Sequence, residues 1–224
     1  MSREYESRRL IPPSSIRVPA HTVYQDFEGS SYYTLSGTGN DYLVRKSPER
    51  VLAGNYGLEI RPKETTPTAE DYVYARFYFP LIAFNIVDVS TDFLVRLTPH
   101  DFIVQIDFHY GYTSATKQWL SGVRINIATG EVWVLSAVAE WTPVATLGDL
   151  GIGKWQHLSL ATDFFKKKYA SITVGGYTID VSDYDLVESG LAAFTPNVRI
   201  YAMNVSTNRA QIFYDNIVIA GHTA

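Results

Sequence analysis

The chain of 224 residues has no cysteine, which excludes disulfides and thiolate metal sites. It has no apolar run approaching the roughly 18 residues that a membrane-spanning helix requires. Nor has it an excess of positive charge. Nineteen Lys and Arg stand against 23 Asp and Glu, a net charge of −4 and a pI near 5.7, so the basic footprint of a nucleic-acid partner is missing. Sustained helical spacing is absent too, with residues 183–194 the single stretch that reads as a short helix or a loop. The opening ten residues are charged and lack the apolar centre of a signal peptide, so a cytoplasmic location is expected unless a leader was removed.

What is present is an aromatic-rich β pattern that begins near Thr22 and runs to Ile219. Strands are expected over 22–28, 56–61, 71–79, 82–88, 92–97, 102–109, 121–127, 131–135, 155–161, 169–174, 177–181, 197–205 and 211–219, with Gly and Asn turn signals between them. The segments Ile127 to Val132 and Val174 to Tyr177 read as tight hairpins. Many short strands with regular turns imply an all-β protein of two packed antiparallel sheets. Residues 1–20, polar and carrying Pro12, Pro13 and Pro19, are expected to form an N-terminal arm, and 21–224 a single β-sandwich domain.

Alternate side chains of a strand point to opposite faces. The run from Tyr72 to Phe79 therefore separates Val73, Ala75, Phe77 and Phe79 from Tyr72, Tyr74, Arg76 and Tyr78. Phe102 to His109 separates Phe102, Val104, Ile106 and Phe108 from Ile103, Gln105, Asp107 and His109. Phe93, Val95 and Leu97 alternate with Leu94 and Arg96, Val123 and Ile125 with Arg124, and Val132 and Val134 with Trp133. If these strands are neighbours, one face collects Tyr74, Arg76, Tyr78, Arg96, Gln105, Asp107, His109, Arg124 and Trp133. Rings that stack on sugars, together with Arg, Asp and Gln that hydrogen-bond hydroxyls, suit a carbohydrate ligand. Tyr110, Tyr112 and Trp119 form a further candidate group at a hairpin tip. The competing reading is cross-strand packing of aromatics. Trp155 is expected in the core, Trp141 over a sandwich edge, and Lys166 to Lys168 in a solvated turn.

Three segments resemble the concanavalin-A-like jelly-roll superfamily, which includes lectins, laminin-G-like domains, carbohydrate-binding modules and glucanases. They are Gln25-Asp26-Phe27-Glu28-Gly29 followed by Gly54 to Ile60, Gly153 to Asp163 with its hairpin to Gly176, and Gln211 to Ile219. The resemblance implies a concanavalin-A-like jelly roll. It further implies a structural Ca²⁺ joining the opening and closing strands, with Glu28 and Asp215 as ligands and Asp26 as a third, the remaining oxygens coming from backbone carbonyls. The alternative is that Asp215 and Asn216 cap a strand turn while Glu28 is solvated.

The glucanases of this superfamily carry paired glutamates on one strand face. The corresponding segment here is Gln105 to His109, in which both glutamates are replaced, so a retaining glucanase is disfavoured. The jelly-roll alginate lyases that the segment also resembles use Gln, His, Arg and Tyr. Carried over, these are Gln105 and His109 with Arg76 or Arg96 and Tyr74 or Tyr78, although Asp107 stands where that family has its His. Non-catalytic carbohydrate binding is the preferred reading, a polysaccharide (uronate) lyase the second, and a structural or assembly module with a protein partner or homo-oligomer the third.

Overall fold

A computed structural model describes residues 21–29, 33–39, 41–62, 71–79, 86–96, 102–110, 117–148, 150, 153–190, 196–204 and 211–222; for 21–24, 102–110 and 117 it describes the backbone alone. The arm expected over 1–20 lies outside the described residues, as does Tyr112. In chain order the strands are β1 (His21–Gln25), β2 (Thr34–Gly37), β3 (Leu43–Ser47), β4 (Gly57–Arg61), β5 (Tyr72–Tyr78), β6 (Ile86–Val95), β7 (Phe102–Tyr110), β8 (Lys117–Asn126), β9 (Glu131–Ala137), β10 (Glu140–Thr146), β11 (Trp155–Asp163), β12 (Lys168–Val174), β13 (Tyr177–Asp180), β14 (Val187–Gly190), β15 (Asn197–Asn204) and β16 (Ile212–His222).

These strands form two antiparallel sheets, a jelly-roll β-sandwich. Sheet 1 has the order β13-β12-β11-β6-β16-β4-β3, with β1 also on β16. Sheet 2 has the order β10-β9-β8-β7-β15-β5-β2, with β14 also on β8. The period-2 alternation sends Val73, Ala75, Val123, Ile125, Val132, Val134, Val198 and Ile200 of sheet 2 against Leu58, Ile60, Phe93, Leu158, Leu160, Ile172, Ile212 and Tyr214 of sheet 1, and all are essentially sealed from solvent. Each Val, Leu, Ile or Phe among them contributes roughly 1.5–3 kcal/mol of transfer free energy. Among the described residues no helix is long and apolar enough to cross a membrane.

Each sheet has one long strand whose outer neighbour changes midway. β16 pairs with β4 through Tyr214 and with β1 from Ile217 onward, while β6 runs along its other side. The change falls at a one-residue bulge after Asp215, where Asn216 takes φ 51°, a left-handed conformation that Asn tolerates better than most residues. β8 changes from β14 to β9 around Gly122. There the phenol of Tyr169, reaching from sheet 1, accepts from Gly122 N at 3.0 Å and donates to Leu135 O at 2.9 Å. The hydroxyl thereby satisfies two buried backbone groups where β8 and β9 part. Tyr214 makes a second cross-sheet bond, to the carbonyl of Tyr201, and its burial pushes the phenol well above the usual tyrosine range.

Several expectations need correction. The strands expected at 82–88 and 92–97 are parts of a single strand, β6, and β6 belongs to sheet 1. Arg96 therefore lies away from the proposed polar face. Its guanidinium donates to Gln211 Oε1 at 2.9 Å and pairs with Glu49 at 3.1 Å. Residues 187–190 form β14 where a short helix or a loop was expected, and β2, β3 and β10 were not expected at all. Trp155 is only half-buried, beside Leu94 on β6. Trp119 turns inward against the core with Lys167 over its ring at 4.6 Å, which removes it from the surface group. Lys166 to Lys168 do sit in and beside a turn, where Lys166 faces Asp163 and Lys168 faces Asp185.

Candidate functional site

The inner face of sheet 2 is core, so its outer face holds every residue of opposite parity, and the register arranges them in cross-strand rows. One row runs Trp133, Arg124, Gln105, Tyr201, Tyr74, Ser36. The next runs Gly122, Asp107, Arg199, Arg76, Thr34, and beyond it Leu120, His109, Asn197, Tyr78. The sequence-selected residues other than Arg96 thus fall in three adjacent rows. Gln105, Asp107 and His109 are placed there by backbone register alone. The strand between β7 and β5 is β15, whose Arg199, Tyr201 and Met203 the sequence reading did not single out. Their signal was available: Val198, Ile200 and Ala202 alternate with them as regularly as in β5.

A groove of about 390 Å³ lies on this face. Its described walls are the rings of Tyr72, Tyr74, Tyr201 and Trp141, the guanidiniums of Arg124 and Arg199, and the apolar side chains of Leu120, Leu135, Val138 and Met203, with Ala139 at the rim. Tyr72 and Tyr74 are parallel to within 2° with centroids 6.3 Å apart, and Tyr201 packs on Tyr74 at 4.8 Å. Trp141, on edge strand β10, does more than cover an edge. Its ring lies 4.0 Å from the guanidinium carbon of Arg124, while Arg199 lies 5.3 Å from the ring of Tyr74. Each is a cation–π contact, and Arg199 Nε also donates to Asn197 Oδ1 at 3.2 Å. Trp133 neighbours Arg124 in register but is not among the residues lining the groove.

Arg76 has a different posture from that expected of a ligand contact. One terminal nitrogen donates to Tyr74 Oη at 2.6 Å and the other to Tyr78 Oη at 3.1 Å, and its Nε is buried without a partner. The guanidinium is thus engaged by two phenols. Its hydrogen bond, with another involving Thr34 and the charges of Arg76 and Arg199, holds Tyr78 below the usual tyrosine range. Tyr78 is 47% exposed.

The carboxylates expected to bind calcium have other partners. Glu28 Oε1 accepts from Asn55 N at 2.6 Å and Tyr56 N at 2.8 Å, and Oε2 from the Asn55 side chain at 3.0 Å. The Asn55 side chain and then these two amides hold Glu28 below the ordinary glutamate range. Asp215 Oδ2 accepts from Leu52 N and Ala53 N at 3.0 and 3.1 Å, and Oδ1 from Asn216 N at 2.9 Å. Burial, opposed by these hydrogen bonds and reinforced by Asp92, raises its pKa. Asp26 Oδ1 accepts from Glu28 N at 3.0 Å. Calcium needs six to eight oxygens directed at one point. Here N–H donors occupy the oxygens of both carboxylates, and among the described residues no three His, Cys, Asp or Glu side chains gather into a metal-binding group. The donor set does not fit a calcium ion.

Neither a protein-family model nor the sequence of a curated protein matches the chain. Solved structures do resemble it. An endo-β-1,4-glucuronan lyase from the fungus Trichoderma reesei superposes with a TM-score of 0.60 at 12% identity, covering 92% of this chain and 96% of that one. The cellulose-induced protein Cip1 superposes with a TM-score of 0.53 at 12% identity, covering 90% and 98%. At such identities the likeness concerns architecture: this chain has the jelly-roll fold that those two proteins share.

Proposed function

We propose that the protein binds a carbohydrate in the groove on the outer face of sheet 2. The observation that carries this reading is one concave surface in which the half-buried rings of Tyr72 and Trp141, backed by the buried Tyr74 and Tyr201, adjoin two arginines that each lie over a ring. Aromatic rings cover the apolar faces of pyranose rings, and prearranged guanidiniums hydrogen-bond ring substituents without a large ordering cost. The shared fold with a polysaccharide-acting enzyme supports the choice of ligand class by analogy. A glycan array read with intrinsic fluorescence tests it. Trp141→Ala should weaken binding by about tenfold or more, the loss expected for a buried aromatic anchor. An array without a single saturable ligand would overturn the reading.

A second reading, a polysaccharide lyase, is favoured by Tyr78. A phenol with a lowered pKa, half-exposed and held by Arg76, can exchange a proton with a sugar carbon more readily than an ordinary tyrosine. The register sets His109 in the same row, one strand beyond Asn197. The expected signature is rising ultraviolet absorbance from unsaturated product during incubation with polyuronates. Tyr78→Phe should abolish it while leaving binding intact; a Tyr78→Phe variant as active as the parent would remove Tyr78 from the mechanism.

A further inference from the structure

We infer that the groove selects sugars bearing a small apolar substituent, an acetyl or methyl group, and that the β9–β10 turn, Val138 and Ala139, reads it. The inference rests on the binding reading above and specifies its ligand. The groove has two unlike ends. On β5 and β15 the described walls are Tyr72, Tyr74 and Tyr201, which offer a hydroxyl as well as a ring, with Arg199 and Met203. On β8 and the β9–β10 hairpin they are Leu120, Leu135, Val138, Ala139 and Trp141, and the one polar side chain described there, Arg124, lies over the Trp141 ring. Leu120, Leu135 and Val187 form an apolar cluster of their own, apart from the inter-sheet core, and Trp141 packs against it. The three cluster residues are nearly covered. The apolar surface that this end offers a ligand is therefore the half-buried Trp141 and Val138, 63% exposed, with the exposed Ala139 beside it. A sugar hydroxyl placed there would lose water without gaining a partner, whereas a methyl group gains from the transfer.

The backbone of the turn is an independent observation. Val138 and Ala139 are the two residues between β9 and β10, and Ala139 takes φ 64°. A turn with positive φ at its second central position ordinarily holds Gly or Asn there, because a Cβ is strained in the left-handed region. Folding alone would favour Gly at position 139 and a polar residue at the exposed position 138. The chain carries two apolar side chains instead, at a turn that adjoins the groove. Strain held at a ligand-facing position points to use there.

The experiment measures equilibrium binding to the full chain of O-acetylated and O-methylated oligosaccharides, each against its unsubstituted parent; the two arms distinguish acetyl from methyl. A substituted sugar is expected to bind about fourfold tighter or more for each methyl seated, and the preference should persist at high salt, where charge contacts are screened. Val138→Thr exchanges one methyl for a hydroxyl at an exposed site and should remove most of the preference with the melting temperature unchanged. Ala139→Gly should reduce the preference while raising the melting temperature by about 2–4 °C, as left-handed strain is relieved. A turn with a structural role alone would not give that opposed pair of effects. Equal affinity for substituted and unsubstituted sugars would overturn the preference and leave carbohydrate binding standing. A preference that both variants retain would overturn its assignment to this turn. So would a dimer in sedimentation that Val138→Thr dissociates, since a second copy of the chain would then cover this surface. A chain that binds no glycan, substituted or not, would overturn both readings.

Discussion

Glu59, on the outer side of sheet 1, has a fully covered side chain. Burial alone would raise its pKa, but hydrogen bonds from Arg45 Nε at 2.8 Å, Arg61 Nε at 2.6 Å and Gln211 Nε2 at 2.5 Å outweigh burial and bring it below the ordinary glutamate value. Gln211 also accepts from Arg96, which continues the network to Glu49. A carboxylate whose folded pKa lies below its unfolded one stabilises the fold above the unfolded pKa, and that contribution is lost as pH falls through the folded pKa. Glu59→Gln should therefore lower stability at neutral pH by about 1–3 kcal/mol and flatten the loss of stability below about pH 4.3, the unperturbed glutamate value. Urea unfolding from pH 7 to pH 3 measures both effects. Parallel pH profiles for the two proteins would show that the network does not couple to folding. Arg96 belongs to this network and not to the groove, because β6 crosses to the sheet opposite β5 and β7.

At the scale of elements, loop 48–56 is gripped from two sides, by Glu28 through Asn55 and Tyr56 and by Asp215 through Leu52 and Ala53. The backbone turns sharply at Phe27, which takes φ 63° so that its ring enters the core against Phe77 while Glu28 faces the loop. Gly54 has φ 77°, and a Cβ there would run into the Glu28 carboxylate. We expect that chelator leaves the melting temperature unchanged and that Gly54→Ala lowers stability by at least about 1–2 kcal/mol from left-handed strain alone. A fall in melting temperature with chelator, reversed by calcium, would show that a metal joins these segments after all. The sequence revealed that Glu28 and Asp215 converge, through motifs at the two ends of the fold, but which donors meet them depends on a loop path that no periodicity encodes. Strands with one apolar face, such as β5, β8, β9 and β15, were legible from alternation. The tight hairpin at Gly175 and Gly176, both at positive φ, was legible from its residues. β10 was not, because edge position and Pro143 leave it no alternating face, and its turn uses Val138 and Ala139, the latter at φ 64°, in place of Gly or Asn.

At the scale of the molecule, parity identified the outer-face residues of sheet 2, whereas strand order supplied their neighbours. Pairing β15 between β5 and β7 joins residues about 90 to 130 positions apart, a long-range choice that local pattern does not specify, and it brings Arg199 and Tyr201 to the groove. The groove is built on sheet strands whose opposite side is the core, so a ligand bound there is coupled to the whole folding equilibrium. An oligosaccharide bound in the groove at about a hundredfold excess over its dissociation constant adds roughly 2.7 kcal/mol to the stability of the native state. For a chain of this length that corresponds to an increase in melting temperature of roughly 5–11 °C. The increase should be seen with the parent protein, shrink with Arg124→Ala and Arg199→Ala at the same ligand concentration, and persist with Tyr78→Phe. A ligand that raises the melting temperature of the parent and of both arginine variants equally is bound somewhere other than this groove, and mapping would then move to the outer face of sheet 1, where Asp92 holds His157 at 2.9 Å and Asp88 holds His222 at the same distance.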